Sequence, residues 1–262
     1  MIDKGTRDEF DILFTFGDRH VPYHCEKTDK MILEMLEDVD PDIIIDGGDM
    51  ISTDCLSKFK KTHAQMLGAA FEFQIDYIWR QQIQQVSPNS RKYILKDNHF
   101  IRRLDDFIQK TENYWLAELQ ELSPKSLLKL DDVDWKLVDS YNWKEEILFL
   151  HGDGPGMGGS ARCPVNKSRA LVKDAAVSIV KFHSHSTGFE VIRQSGKTRL
   201  AVQIGTIMAL DKVSYSKHPE LFNGSQSMGL FYLHKETNEF HYSPVVIMDS
   251  DRSMLNGKIY SK

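Results

Sequence analysis

Residues 11–20 read Asp-Ile-Leu-Phe-Thr-Phe-Gly-Asp-Arg-His, a short apolar run that ends in two side chains of the kind that bind metals. The run from 11 to 16 is stopped by Gly17, which is typical of a buried strand. Asp18 and His20 follow directly, so a carboxylate and an imidazole stand at the end of that predicted strand. This arrangement recurs along the chain and decides the fold that we predict.

Four later segments also place ligand-type side chains after a hydrophobic run. They are Gly48-Asp49, Asn98-His99, His151-Gly152-Asp153 and His183-Ser184-His185, and with the first segment they hold half of the ten histidines. Aspartate and asparagine favour the turns that follow strands, which explains any one segment but not five together. We therefore expect these side chains to converge on hard divalent metal ions.

The order of apolar patterns predicts an α/β fold. The first third alternates strand and helix, at 11–16, 26–38, 43–45, 55–85 and 93–95, and a helical stretch at 101–128 follows. Such alternation is typical of a parallel sheet with helical crossovers, whose ligand sites lie beyond the carboxyl ends of the strands. From Trp135 onward short strands predominate, at 136–139, 146–150, 177–182, 188–193, 199–204, 229–234 and 239–247, with one helix at 162–173. We predict a two-layered mixed β-sheet sandwich flanked by helices, forming one domain over residues 1–262, with residues 1–10 a flexible N-terminus.

Composition and charge exclude several classes of protein. The net charge of −5 gives no strong attraction to nucleic acid or acidic membranes as a whole. The three cysteines are odd in number and form no CxxC pair, so neither a disulfide framework nor a zinc ribbon is expected. No apolar run approaches the roughly 20 residues that span a bilayer, and residues 1–10 do not resemble a secretory signal. We therefore expect a cytoplasmic protein that does not bind membranes.

The ordered set of segments resembles the signature of the calcineurin-like metallophosphoesterase superfamily, DxH, GD, NH, H and HxH. Here it reads Asp18/His20, Gly48-Asp49, Asn98-His99, His151 and His183/His185, within a resemblance from about Leu13 to Leu233. The stretches from His20 to His24 and from Asn98 to Leu104 are similar to forms in the phage and bacterial branch, which would place the protein in a host cytoplasm. The resemblance implies a metallophosphoesterase-like four-layer α/β/β/α fold and a metal site, and leaves the substrate open.

Each ligand role is implied by that resemblance. Asp18, His20 and His185 would hold one divalent metal ion, Asp49 would bridge, and Asn98, His151 and His183 would hold a second ion. His99 would lie outside the coordination shell and protonate the leaving oxygen or bind the phosphate. A metal-bridging hydroxide would attack phosphorus in line. Mixed nitrogen and oxygen ligands suit manganese, which we expect, with iron, zinc or magnesium as alternatives.

The residues that differ from the family pattern are neighbours of the expected metal ligands, not the ligands themselves. Asp97 stands where glycine commonly precedes Asn-His, and Phe100 replaces the acid that commonly follows. Phe182 stands where glycine commonly precedes HxH, and Ser52 replaces an aspartate that often orients the catalytic histidine. We expect these changes to alter the catalytic acid and the substrate geometry.

Three arginines are candidates for substrate phosphate contacts, because guanidinium groups match phosphate oxygens. They are Arg19, Arg102 and Arg103, and the alternative for each is solvation or an ion pair with Asp105 or Asp106. The four tryptophans (Trp79, Trp115, Trp135 and Trp143) are expected to be buried in the core or partly buried by packing rather than to stack on bases.

These patterns together favour a dinuclear-metal-dependent phosphoester hydrolase. Its partner would be a phosphorylated substrate, with phosphodiesters of nucleotides or nucleic acid favoured, and the oligomeric state stays open. Two alternatives remain: a phosphomonoesterase acting on nucleotides or proteins, and a metal-binding scaffold whose catalysis has decayed.

Overall fold

Two mixed β-sheets carry the fold in a computed structural model that describes residues 4–57, 68–152, 172, 177–194, 196–212, 224–248 and 251–261. The strands are β1 (Phe10–Phe16), β2 (Ile43–Asp46), β3 (Arg91–Leu95), β4 (Trp135–Val138), β5 (Tyr141–Trp143), β6 (Ile147–Leu150), β7 (Ser178–Lys181), β8 (Gly188–Gln194), β9 (Lys197–Gln203), β10 (Ser227–His234), β11 (Phe240–Val246), β12 (Arg252–Leu255) and β13 (Lys258–Ser261). The α-helices are α1 (Lys4–Glu9), α2 (Glu26–Val39), α3 (Ala69–Val86), α4 (Ile101–Ile108) and α5 (Pro124–Leu127).

The first sheet has the strand order β11-β10-β1-β2-β3-β4, and the second has the order β5-β6-β7-β9-β8. In the first sheet β1 to β4 are parallel neighbours, and β10 and β11 extend it antiparallel from β1. In the second sheet β6, β7 and β9 are parallel, with antiparallel β5 and β8 at the edges. The predicted α/β fold class, a pair of mixed sheets with flanking helices, is confirmed.

The apolar run of β1 is continuous because both faces of the strand are buried. Ile12, Phe14 and Phe16 belong to the core that contains the residues of α2 and α3, whereas Leu13 belongs to the core between the two sheets. This period-two division of an uninterrupted apolar run is typical of a strand covered on both faces. The residues of α2 in the same core as Ile12, Phe14 and Phe16 have helical spacing, as predicted, and include Met31, Ile32, Met35 and Leu36.

Several elements differ from the predictions. The segment 4–9, expected to be flexible, forms α1, where Arg7 donates to the carbonyl of Val39 and to that of Asp40. Six residues are too few to show helical periodicity, and these tertiary contacts cannot be read from sequence. The stretch 101–128 is not one helix but α4, 3₁₀ turns at 111–118 and 120–122, and α5.

Two predicted helices fall partly outside the described residues. Of the helix expected at 55–85, α3 covers Ala69–Val86, a 3₁₀ turn covers Asp54–Leu56, and 58–67 are not described. The helix expected at 162–173 lies outside the described residues apart from Val172, which is helical and buried.

Three of the four tryptophans match their predicted environment. Trp79, Trp135 and Trp143 are buried, but Trp115 is 62% exposed, so its predicted burial is wrong. Its 3₁₀ turn presents it to solvent, since the predicted helical face does not form there. Neither of the described cysteines, Cys25 and Cys55, forms a disulfide bond in the described part of the chain. Among the described residues, no helix combines the length and apolar character needed to cross a membrane.

A buried charge cluster attaches α3 to the end of β2. The Arg80 guanidinium donates at 2.7 Å to both Asp76 and Asp46, and it lies 4.5 Å from the centre of the Trp135 ring. Asp46 in turn accepts the Gly48 N–H at 2.8 Å. Arg80, Asp76 and Asp46 are all fully buried, so water does not stabilise their charges. The positive charge of Arg80 therefore offsets the negative charges of the two aspartates.

Arg80→Met removes the cation from this cluster and leaves two buried carboxylates. We expect the free energy of unfolding at pH 7 to fall by about 3–5 kcal/mol, measured by urea denaturation. Burial raises the pKa of Asp46 to about 6, although Arg80 opposes the rise. A carboxyl group whose pKa is higher in the folded than in the unfolded state lowers the free energy of unfolding at pH values above its folded-state pKa. This effect disappears below the unfolded-state pKa of about 3.9, where the group is protonated in both states. The decrease in the free energy of unfolding caused by Arg80→Met should therefore become smaller as the pH falls from 7 towards 4.

Lys125→Met is the matched control, because Lys125 forms an exposed ion pair with Asp131 at 2.8 Å. Exposed pairs contribute about 0–1 kcal/mol, so this variant should unfold nearly like the wild type at every pH. Equal losses in the two variants, or a pH-independent loss in Arg80→Met, would contradict the role given to the cluster.

Candidate metal centre

The loops that follow β1 and β2 run side by side and continue the pairing of their strands. The Asp18 N–H donates to the Gly48 carbonyl and the His20 N–H to the Asp49 carbonyl, each at 2.9 Å. These bonds fix the two loops at the same edge of the first sheet. The predicted convergence of Asp18, His20 and Asp49 at the carboxyl ends of neighbouring strands follows from this pairing.

Five of the seven predicted ligands have a left-handed backbone conformation. They are Asp18 (φ 54°), His20 (52°), Asp49 (53°), His183 (72°) and His185 (54°). Only a few per cent of non-glycine residues adopt positive φ, and such strain collects at functional sites.

The segment from His183 to His185 is not extended, because His183 and His185 both have a left-handed backbone conformation. Its left-handed residues bend the chain instead. The two imidazoles still reach different groups of side chains, as predicted.

The first group joins Asp18, His20 and His185, whose nearest ligand atoms lie within 4.8 Å of one another. His20 Nε2 and His185 Nε2 are 2.9 Å apart, and His185 Nε2 is 3.3 Å from Asp18 Oδ1. All three residues are buried. This is the set that the resemblance assigned to one metal ion.

The second group joins Asp49, His151 and His183, with Asn98 beside them. Asp49 Oδ2 lies 3.2 Å from His151 Nε2 and 3.8 Å from His183 Nδ1. It also lies 3.9 Å from His20 Nε2 of the first group. Asn98 Oδ1 is 2.9 Å from His151 Nε2. One carboxylate oxygen therefore faces both groups, which is the position expected of a bridging ligand.

The polar side-chain atoms of these groups that lack hydrogen bonds could bind a divalent cation. Asp18 Oδ1, Asp49 Oδ2 and His183 Nδ1 are buried without a hydrogen bond of good geometry. Among the described residues, the ion-pair partners of Asp18 and Asp49 are histidines alone, not lysine or arginine. Ligand atoms about 2.1 Å from one ion and at right angles would be about 3.0 Å apart, close to the 2.9–3.3 Å separations found.

The electrostatics and hydrogen bonds of His151 and Asp49 are those expected of metal ligands. Burial would raise the pKa of Asp49, but the imidazoles of His151 and His99 hold it well below its usual range. Burial would lower the pKa of His151, yet chiefly Asp49 raises it to about 10, so in the absence of a metal this imidazole carries the compensating proton. His151 Nδ1 is 2.7 Å from the Gly47 carbonyl, which orients Nε2 towards Asp49.

His99 lies nearer to the ligands than the resemblance implied. Its side chain forms a third group with His20 and Asp49, and the rings of His99 and His20 are 4.5 Å apart. Its backbone N–H donates to Asp49 Oδ1 at 3.0 Å. Burial chiefly lowers the pKa of His99, and its Nδ1 forms no hydrogen bond. The geometry alone thus allows His99 either as a ligand or as a group that contacts substrate.

The three arginines proposed for phosphate contacts lie in different environments. Arg19 is buried, donates from Nε and Nη2 to Asp29, and lies 4.5 Å from the centre of the Trp79 ring. Two of its guanidinium nitrogens are thus bound to Asp29 in the core, whereas Nη1 is buried without a hydrogen bond, and its predicted contact with a phosphate stays a prediction. The phosphate role of Arg102, which is exposed, stays a prediction.

Arg103 is half-buried, and its partners are not the predicted Asp105 or Asp106. Its Nη1 donates to the Ser52 carbonyl and to Asp54 at 3.1 Å. Arg103 therefore links the loop after β2 to α4, and a phosphate contact would have to use its other donors.

Asp97 is a positioning residue that the sequence reasoning noted only as a departure. Its Oδ2 accepts the Asp49 N–H at 2.9 Å, and its Oδ1 accepts the N–H groups of Phe100 and Ile101 at 2.9 and 3.0 Å. An aspartate just before a helical pattern is a capping signal, which could have identified the second contact but not the first. The carboxylate thus holds the loop of Asp49 against the start of α4.

The other departures also fill structural positions. Phe182 is buried, and a Cβ at Gly47 would lie 2.2 Å from its ring while one at Gly17 would lie 2.9 Å away. Phe100 is buried with its ring 5.2 Å from that of Phe73. These residues pack beneath the ligand loops rather than displacing a ligand.

Comparisons with known proteins find solved structures that are similar to this chain at low sequence identity. No protein-family model and no curated protein matches it. Vacuolar protein sorting 29 from Cryptosporidium parvum is similar over 97% of this chain and 96% of that chain, at 15% identity and a TM-score of 0.45. Wild-type Vps29 from Entamoeba histolytica, complexed with Zn²⁺, is similar over 90% of this chain and 98% of that chain, at 13% identity and a TM-score of 0.40. Likenesses this distant support no functional argument.

Asp97→Asn places an amide where the Asp49 N–H now meets a carboxylate. The substitution keeps the size of the side chain but weakens the contact that positions Asp49. Because partners of this kind typically contribute about 10–100-fold to metal affinity, we expect Mn²⁺ to bind about 10–100-fold more weakly in isothermal titration. Asp105→Asn, an exposed change on α4, is the control and should bind Mn²⁺ like the wild type. Equal affinity in both variants would remove Asp97 from the support of the site.

Proposed function

We propose that this protein is a phosphoester hydrolase that uses two divalent metal ions, with manganese expected and iron, zinc or magnesium as alternatives. The observation that carries the proposal is the position of Asp49 Oδ2, which faces His20 in the first group and His151 and His183 in the second. A single ion needs no such shared carboxylate, whereas a pair of ions is joined by one. Asp18, His20 and His185 would hold one ion, and Asn98, His151 and His183 the other.

The bound ions would supply Lewis acidity and positive charge at the phosphoryl oxygens. The chain itself holds the donor atoms in place and keeps the ligand imidazoles oriented. Burial, followed by the neighbouring His99 and His185, keeps the pKa of His20 well below its ordinary value, which leaves a neutral imidazole able to bind a metal. Asn98 and His99 are half-buried and line the cavity beside the site, and His99, which is not among the proposed ligands, would contact the leaving part of a substrate there.

The substrate class that we propose is a phosphodiester of a nucleotide or of nucleic acid. The intact donor set favours catalysis over a scaffold, since the metal-ligand positions implied by the resemblance are occupied by ligand-type side chains that the structure brings together. Purified protein with Mn²⁺ would be assayed on bis(p-nitrophenyl) phosphate and on p-nitrophenyl phosphate. Faster turnover of the diester supports the proposal, faster turnover of the monoester identifies a phosphomonoesterase, and bound metal without turnover of either identifies a scaffold.

Asp49→Asn tests the shared carboxylate. An amide is a weaker metal ligand than a carboxylate and carries no charge, so both ions should be held less tightly. We expect diester hydrolysis to be abolished and the metal content, measured by atomic emission after dialysis, to fall from two ions per chain. Asp105→Asn serves again as the control and should retain both properties. Two tightly bound ions in Asp49→Asn would contradict the bridging role.

His99→Ala separates the two roles that the geometry allows for His99. If His99 contacts the substrate, metal content should persist while kcat falls by about 10²–10⁴-fold, the usual range of general acid–base contributions. Loss of metal together with activity would make His99 a ligand and would contradict the role proposed for it.

A further inference from the structure

The backbone of His99 is held on both sides by a single loop, the one that follows β2. The His99 N–H donates to Asp49 Oδ1 at 3.0 Å, and the His99 carbonyl accepts the hydroxyl of Thr53. Asp49 and Thr53 are four positions apart in that loop. The loop that carries the shared carboxylate therefore also fixes the position of the His99 backbone.

The imidazole of His99 has no side-chain partner at its inner nitrogen. His99 Nδ1 is buried and forms no hydrogen bond within the described part of the chain. The aspartate that often orients such a histidine is replaced by Ser52. Asp54 does not take over this task, because its carboxylate oxygens accept from Tyr23 at 2.8 Å and from Arg103 at 3.1 Å. The position of the imidazole therefore depends on the backbone contacts of His99.

Thr53 has a backbone conformation that a β-branched residue rarely adopts. Its φ is 42° and its side chain is fully buried. The Thr53 N–H donates to the Glu72 carboxylate at 2.6 Å, and the Thr53 carbonyl accepts the Leu56 N–H at 2.9 Å. Strain of this kind persists only where the surrounding contacts enforce it, and it collects at functional sites. These two contacts hold Thr53 with its hydroxyl against the carbonyl of His99.

Glu72 is a buried acid in the first turn of α3, and its side chain is 3% exposed as part of the residue. Burial chiefly raises its pKa to about 7, and the hydrogen bond from the Thr53 N–H opposes that rise. A buried carboxylate is unfavourable unless it accepts hydrogen bonds, and Thr53 supplies one. The contact thus stabilises Glu72 and at the same time fixes the backbone of Thr53.

We propose that Thr53, held in place by Glu72, is the residue that positions His99 for phosphoester hydrolysis. The inference rests on the proposed function and assigns a further residue to it. A contact to the backbone of the histidine takes the place of the side-chain contact that an aspartate at position 52 would make. Because Thr53 acts through His99, its loss should change the rate of turnover and leave the bound metal unchanged.

Thr53→Val removes the hydroxyl and keeps the shape of the side chain. With Mn²⁺ and bis(p-nitrophenyl) phosphate we expect kcat to fall about tenfold, the effect of one hydrogen bond, while KM and metal content stay as in the wild type. Thr53→Ser keeps the hydroxyl and should restore most of kcat. A wild-type kcat in Thr53→Val would overturn the proposal.

Thr15→Val is the matched control for a purely structural effect. Thr15 is also fully buried, and its hydroxyl also donates to a backbone carbonyl, that of Ile45, at 2.8 Å. The control should lower the free energy of unfolding about as much as Thr53→Val, measured by urea denaturation, and leave kcat unchanged. An equal fall of kcat in the two variants would assign Thr53 a structural role and overturn the positioning role.

Variants of Glu72 test how Thr53 is held. Glu72→Gln keeps an acceptor for the Thr53 N–H and should retain most of kcat, whereas Glu72→Ala should lower kcat as Thr53→Val does. If Glu72 acts through Thr53, combining Glu72→Ala with Thr53→Val should lower kcat no further than either change alone. Losses that multiply in the double variant would overturn the part given to Glu72.

Amide hydrogen exchange in the metal-free protein, followed by NMR, gives a readout that needs no turnover. The His99 N–H should exchange about tenfold faster in Thr53→Val than in the wild type. The Ile101 N–H, which donates to Asp97 at 3.0 Å, should keep its wild-type rate.

The exchange measurement also separates the two proposals. A wild-type exchange rate of the His99 N–H in Thr53→Val would overturn this inference and leave the proposed function standing. Absence of any phosphoester turnover in the wild type would overturn the proposed function. Faster exchange of the His99 N–H in Thr53→Val would in that case still show that Thr53 fixes the backbone of His99.

Discussion

The carboxylate of Asp97 joins the two loops on which the centre of the site depends. It accepts the backbone N–H of Asp49 with one oxygen and two N–H groups at the start of α4 with the other. The contact requires close approach of the two loops, since a Cβ at Gly48 would lie 2.8 Å from that of Asp97. Gly48 also has a φ of +91°, which other residues rarely adopt. The two residues therefore constrain each other.

A second mutual constraint lies beneath the loops. Phe182 occupies the space that side chains at Gly17 and Gly47 would fill, so a large residue before His183 is accommodated by two glycines before Asp18 and Asp49. The packing places the backbone of three ligand-bearing loops around one aromatic ring. The departure from the family pattern at Phe182 is thus compensated by the small residues Gly17 and Gly47, which leave room for its ring.

The sequence was sufficient for features that depend on local pattern and strand order. The buried strand before Asp18, the parallel neighbour before Asp49 and the convergence of their side chains follow from apolar runs and from the geometry of parallel strands. The sequence did not predict that Arg19 would turn inward to Asp29, because the choice between solvent, phosphate and a buried acid depends on tertiary packing. It missed the contact of Asp97 with Asp49 for the same reason, since the two residues are 48 positions apart.

The two ligand groups differ in their exposure to solvent, so the site is more accessible from one side than from the other. The residues of the first group, Asp18, His20 and His185, are all buried. The second group is more open, because the His183 side chain is 26% exposed and the neighbouring Asn98 is half-buried. Asp49, which faces both groups, is therefore more accessible from the side of the second group. The cavity along α4 opens on that same side, since Asn98 and His99 line it, so the cavity and the more open ligand group share one entrance.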